Sequence, residues 1–118
     1  MNDRELLELA AKAAGLSVGS APGAYHYRDD GIWVAGMYGT DNGYPLFWNS
    51  LIDDRDALRL AVKLGMDVCF GASYVIVRGS VQSPIVNNAN DPYAATRYAI
   101  TRAAAEIERA RITTEDGK

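Results

Sequence analysis

The sequence predicts an α+β fold: an antiparallel sheet of four to six strands packed by two to three helices, in the order α-β-β-β-α-β-β-α. Three observations lead there. Apolar residues recur at helical spacing near both ends of the chain and once in the middle, and runs of alternating or β-branched residues fill the two intervals between. Those runs are separated by short turn signals, Asp30-Gly31, Asp41-Asn42-Gly43 and Gly79-Ser80, which suit hairpins rather than the long crossovers of parallel strands. A doubly wound nucleotide fold is therefore not expected.

Each element has a local reason. Asn2 followed by Glu5 resembles a capping box, after which Leu6, Leu9, Ala10 and Ala13 form a helical stripe up to Gly15. Residues 16–23, with Ser17, Gly19, Ser20, Pro22 and Gly23, have the composition of a connector. Tyr25-His26-Tyr27-Arg28 and Ile32-Trp33-Val34-Ala35 then flank Asp30-Gly31 as a hairpin with a type I′ turn, placing Arg28 opposite Trp33 and Tyr27 opposite Val34. One face carries Tyr27, Ile32 and Val34, and the other His26, Arg28 and Trp33. Tyr44-Pro45-Leu46-Phe47-Trp48 completes a three-stranded meander, and Pro45, which lacks a donor, favours an edge position.

Asp53-Asp54 opens the second helix and Gly65 closes it. On a helical wheel Asp56, Arg59 and Lys63 make a narrow polar stripe, so this helix is expected to pack deeply and to be the core helix. Residues 66–70 alternate as a half-buried strand, residues 73–78 are β-branched, and Gly79-Ser80 fits a type II′ turn into Val81-Gln82-Ser83, with Pro84 confining or ending that strand. Asp91-Pro92 starts the third helix, whose seam is Ala99, Ile100, Ala103, Ile107 and Ala110, small enough for close approach to the sheet or to the first helix. Residues 1–112 read as one domain and 113–118 as a polar, frayed tail.

Composition removes several function classes. The chain has 118 residues, a net charge of −3, one cysteine and one histidine. A single Cys69 allows no intrachain disulfide, and a single His26 allows no multi-histidine zinc signature. Cys69, between Val68 and Phe70, is expected to be a small buried hydrophobe rather than a nucleophile served by His26. The cluster Asp53, Asp54 and Asp56 is not expected to be a metal site: Asp53 or Asp54 is expected to cap the helix, with Arg55 and Arg59 close enough to neutralise the rest, and Asp29-Asp30-Gly31 is expected to be turn chemistry. No phosphate-loop pattern occurs among the eleven glycines. Arg102 and Arg109 share one side of the third helix with Glu106 spaced to pair with both, so no basic face for nucleic acid is expected. Neither a basic start nor an apolar leader opens the chain, and no run approaches a membrane span, so the expectation is a cytoplasmic protein with a reduced thiol. No cofactor, metal or catalytic residue is assigned.

Aromatic residues are the surplus. Seven tyrosines and two tryptophans are many for one small core, and Tyr25, Tyr27, Trp33, Tyr38, Tyr44, Phe47 and Trp48 fall within the meander. Cross-strand packing would account for part of them. The remainder suits an interaction face, for which Tyr25, His26, Arg28, Trp33, Tyr38 and Tyr44 are the candidates and Trp33 the expected anchor.

Three stretches carry a family resemblance: 3–15, beginning Asp3-Arg4-Glu5-Leu6-Leu7; 48–64, beginning Trp48-Asn49-Ser50-Leu51-Ile52-Asp53; and 94–107, beginning Ala94-Ala95-Thr96-Arg97-Tyr98. Together they resemble small uncharacterised proteins of bacteriophages and prophages, and more distantly phage Nin-region proteins of unknown function. The resemblance implies a context and supplies no catalytic residues. Its segments are the helices, whereas residues 25–44 and 70–90 look specific to this member. What it implies is a non-enzymatic accessory protein in the host bacterial cytoplasm that binds a host or phage protein, including the kind that inhibits a defence system such as CRISPR. A small-molecule or nucleotide sequestering protein is the alternative.

Overall fold

A computed structural model of the chain describes residues 2–18, 31–35, 46–78, 85–87 and 91–116. The elements follow in the order α1 (Asp3–Ala13), β1 (Ser17–Val18), β2 (Ile32–Ala35), β3 (Leu46–Trp48), α2 (Asp54–Leu64), β4 (Asp67–Phe70), β5 (Tyr74–Arg78), β6 (Ile85–Asn87) and α3 (Pro92–Asp116). The class is α+β with antiparallel pairing throughout. The described strands form two three-stranded sheets, β1-β2-β3 and β4-β5-β6, and not one sheet of four to six.

The helix ends obey local chemistry. The Asn2 carboxamide oxygen accepts from the Glu5 amide at 2.8 Å, and Gly15 takes a left-handed φ of +75° just beyond α1. Asp53 caps α2 by accepting from the amides of Arg55 (2.8 Å) and Asp56 (3.2 Å), and Gly65 at φ +64° ends it. Asp91 caps α3 through the amides of Tyr93 and Ala94. That helix runs 25 residues, its backbone continuing to Asp116 past the boundary expected at Thr113.

The central helix is α3, not α2. Ala99, Ile100, Thr101, Ala103, Ala104 and Ala105 are all buried, so the middle of α3 is covered on almost every side, as a helix packed between other elements must be. It lies against α1, α2, β5 and β6, most extensively against α1, where alanines on both helices permit close approach. The buried stripe of α1 is Leu6, Leu7, Ala10 and Ala11, continued by Ala14 at its C-cap and rotated from the expected one, since Leu9 and Ala13 are only half-buried. By contrast α2 buries just Ala57, Leu60 and Ala61 and leaves Leu58 and Val62 in solvent.

In the first sheet Val34 pairs with Val18 on one side and Leu46 on the other. Both edges of Val34 are thus occupied, and Tyr25 to Arg28, the other strand of the expected Asp30-Gly31 hairpin, lie outside the described residues. Nor does Gly31 take the positive φ that a type I′ turn requires. Its lack of a side chain has another cause: a Cβ there would lie 2.7 Å from the Trp48 carbonyl oxygen and from the Phe47 ring. Ser17 and Val18, expected in a connector, supply the strand that occupies the edge. Strand β3 lies at the other edge, as Pro45 suggests.

In the second sheet β5 is central, with Val75 and Val77 fully buried toward the helices. Ile76 pairs with Ile85, whereas a two-residue Gly79-Ser80 turn would set it opposite Ser83. The register is therefore displaced by two residues, which preserves the faces because strand side chains alternate with period two. Cys69 sits opposite Ile76 and is half-buried, not the fully buried hydrophobe expected.

Candidate protein-docking groove between α2, β4 and α3

The turn from β3 into α2 is tied to α3 by polar contacts that fix where the two helices face each other. The Asn49 side chain accepts from the Leu51 amide at 2.8 Å, and the Asn49 amide donates to Asp56 at 2.9 Å. Thr101 donates its hydroxyl hydrogen to the Arg97 carbonyl (2.8 Å), so the buried 2.7 Å contact between Ser50 and Thr101 has Ser50 as donor. Arg97 completes the latch: its Nε donates to the Leu51 carbonyl at 3.0 Å and its Nη1 to Asp54 at 2.6 Å. Burial is the main influence on Asp56, pushing its carboxyl above the ordinary 3.8, and Asp53 acts the same way while the Asn49 amide, Arg55 and Arg59 oppose them.

Beside this latch, residues of α2, β4 and α3 line an open groove of about 340 Å³. Ala57, Ala61, Val68 and Ile100 line its base, and the Asp54–Arg97 pair lies along one side. At its mouth stand Leu58, Phe70 and Tyr93, exposed to 64%, 70% and 72%. Three large apolar side chains around one apolar depression form a contiguous patch, unlike the scattered single exposures ordinary on a surface.

Of the residues the sequence singles out for an interaction face, Tyr25, His26, Arg28, Tyr38 and Tyr44 lie outside the described residues. Trp33 is placed by its backbone in β2, paired with Phe47, and its side chain is likewise outside the description. Trp48 belongs to the core, 2% exposed, with no hydrogen-bond partner for its indole nitrogen among the described residues. Among the α3 cations, Arg109 meets Glu106 at 3.3 Å and Arg111 forks onto the buried Glu108, with Nε 3.0 Å from Oε1. Arg102 instead reaches the Tyr98 hydroxyl at 3.5 Å. Sequence reasoning passed over Leu58, Phe70 and Tyr93. The signal available was the wide apolar arc of α2, which fits equally a deeply buried helix and a helix with an exposed apolar flank.

Among the described residues no group of three or more His, Cys, Asp or Glu side chains is placed to hold a metal ion, and no helix is long and apolar enough to cross a membrane. Comparison with protein-family models, curated proteins and solved structures gives no match to this chain.

Proposed function

We propose that this chain is a non-enzymatic accessory protein, encoded by a phage or prophage and acting in the host bacterial cytoplasm, that binds a host or phage protein through the groove between α2, β4 and α3. A component of a bacterial defence system, CRISPR included, is the partner class that the phage-like helical stretches favour. The observation that carries the binding reading is the exposure of Leu58, Phe70 and Tyr93 around one apolar depression, since aromatic anchors beside a preformed apolar pocket concentrate binding energy. The proposed face thus lies on the second helix and second sheet; of the candidates in the aromatic meander, Tyr25, His26, Arg28, Tyr38 and Tyr44 lie outside the described residues. The test is co-purification from a bacterial lysate: a partner held by the wild-type chain and released by Phe70→Ala/Tyr93→Ala supports the reading. Retention by that variant, or turnover of a substrate by the pure protein, rejects it.

A second reading has one observation in its favour. A groove of about 340 Å³ with an almost wholly apolar lining is within the size range of small-ligand sites. A thermal-shift screen separates the two, because a sequestered small molecule raises the melting temperature of the pure protein by mass action.

A further inference from the structure

The second sheet ends on β4, whose outer edge is unpaired among the described residues. The Gly71 amide donates to the Tyr74 carbonyl at 2.8 Å, and the same register runs on through Cys69 opposite Ile76 to Asp67 opposite Arg78. Hydrogen-bonded and non-hydrogen-bonded pairs alternate along an antiparallel ladder, so Asp67, Cys69 and Gly71 turn their backbone groups toward β5. The N–H and C=O groups of Val68 and Phe70 therefore point the other way, off the edge of the sheet. Neither residue has a backbone partner on that side among the described residues. The strand also lacks the lysine or proline that blunts an exposed edge; its one charge is Asp67, at its start. Phe70, 70% exposed, and the half-buried Val68 share the groove side of this edge, while Cys69 lies on the opposite face.

We infer that this edge pairs antiparallel with the same edge of a second copy of the chain, joining the two β4-β5-β6 sheets into one across a two-fold axis. The occupant follows from self-complementarity, which an isologous contact requires. Faces match only in registers that set even-numbered residues against even and odd against odd. With Cys69 opposite Cys69 of the second copy, Val68 falls opposite Phe70 in both directions, and every outward N–H of the two residues meets an outward C=O. This register also sets an aromatic side chain beside a β-branched one on the groove side. Its neighbours fit less well. Val68 opposite Val68 would set Phe70 against Met66, whose amide already donates to the Ala61 carbonyl at 3.0 Å. Phe70 opposite Phe70 would set Val68 against Ala72, beyond the end of β4. The inference goes beyond the protein-binding reading and does not depend on it, since it uses main-chain groups of one strand rather than the side chains of three elements.

Sedimentation equilibrium of the full chain, kept reduced, should show the mass rising with concentration from 12.8 kDa toward twice that value. Val68→Pro removes an outward amide and no bond to β5, and Cys69→Lys sets two ammonium groups against each other on the axis; each variant whose melting curve shows it folded should stay at the monomer mass. The register is read on the wild-type chain with the thiol oxidant diamide. Two Cys69 thiols pass two protons and two electrons to diamide, which becomes the hydrazine, and the two sulfurs join. Opposed residues at a non-hydrogen-bonded site have Cα atoms about 4.5 Å apart, within the roughly 4.4–6.8 Å of a disulfide. Cross-linked dimer should therefore form several-fold faster in the folded chain than in the same chain unfolded by urea. A chain that is monomeric at every concentration, a dimer that persists in a folded variant, or cross-linking no faster in the folded chain overturns the inference. A monomeric wild type that still captures a lysate partner released by Phe70→Ala/Tyr93→Ala rejects the dimer alone and leaves the protein-binding reading standing.

Discussion

Asp56 connects local chemistry to a measurable pH dependence. Its folded carboxyl titrates above 3.8 because burial disfavours the charge, so the folded state holds the proton more tightly than the unfolded state. Stability from this group is therefore present in acid and is lost as pH rises from about 3.8 through the raised value. Asp56→Asn keeps an oxygen for the Asn49 amide and cannot ionise. Melting curves across pH should show the variant gaining on the wild type as pH rises through this window and levelling off above it; a wild type that gains on the variant contradicts the assignment. Ser50 gives a second test. Its buried hydroxyl donates to Thr101, and Ser50→Ala should lower stability by about 1.5 kcal/mol in urea unfolding with an unchanged m-value. Asp53 as the cap of α2 was readable from adjacent residues, because a cap is a local device. The role of Arg97 was not readable, since its partners Leu51 and Asp54 lie far from it along the chain and only the tertiary fold brings them within reach.

Glycines separate two reasons for lacking a side chain. Gly65 needs its positive φ and has open space around it, so Gly65→Ala should cost about 1 kcal/mol of backbone strain. Gly31 has no such φ but meets the Trp48 carbonyl oxygen and the Phe47 ring at 2.7 Å from an added Cβ. Gly31→Ala should therefore be the more damaging of the two in a thermal melt, because a backbone oxygen cannot move aside as a flexible side chain can; equal losses would argue against that packing. The helices and the strands β4 and β5 were predictable from spacing and residue type. The turn at Asp30-Gly31 was not, because that pair carries a strong type I′ signal while Gly31 lacks the positive φ the turn needs. Likewise the narrow polar stripe of α2 measures how apolar the helix is, not what covers it. The run Ala103-Ala104-Ala105 made α3 the better central helix, since small residues let neighbouring elements approach from several sides.

At the level of the complete protein, exposed apolar side chains among the described residues meet at the groove between α2, β4 and α3, while all three helices and both sheets contribute to the core. Leu58, Phe70 and Tyr93 come from α2, β4 and α3, three elements separated in sequence, which is why no local pattern brings them together. The Arg97 latch ties the β3–α2 turn to α3, and a groove with a fixed shape binds with less ordering cost than one assembled on contact. The most direct test is the affinity of the co-purified partner, measured by calorimetry, for the wild-type chain and for Phe70→Ala/Tyr93→Ala. Both side chains are mostly in solvent, so the variant should melt like the wild type while binding weakens by about 2 kcal/mol or more, roughly a thirtyfold loss. An unchanged affinity in a variant that melts normally would contradict the account.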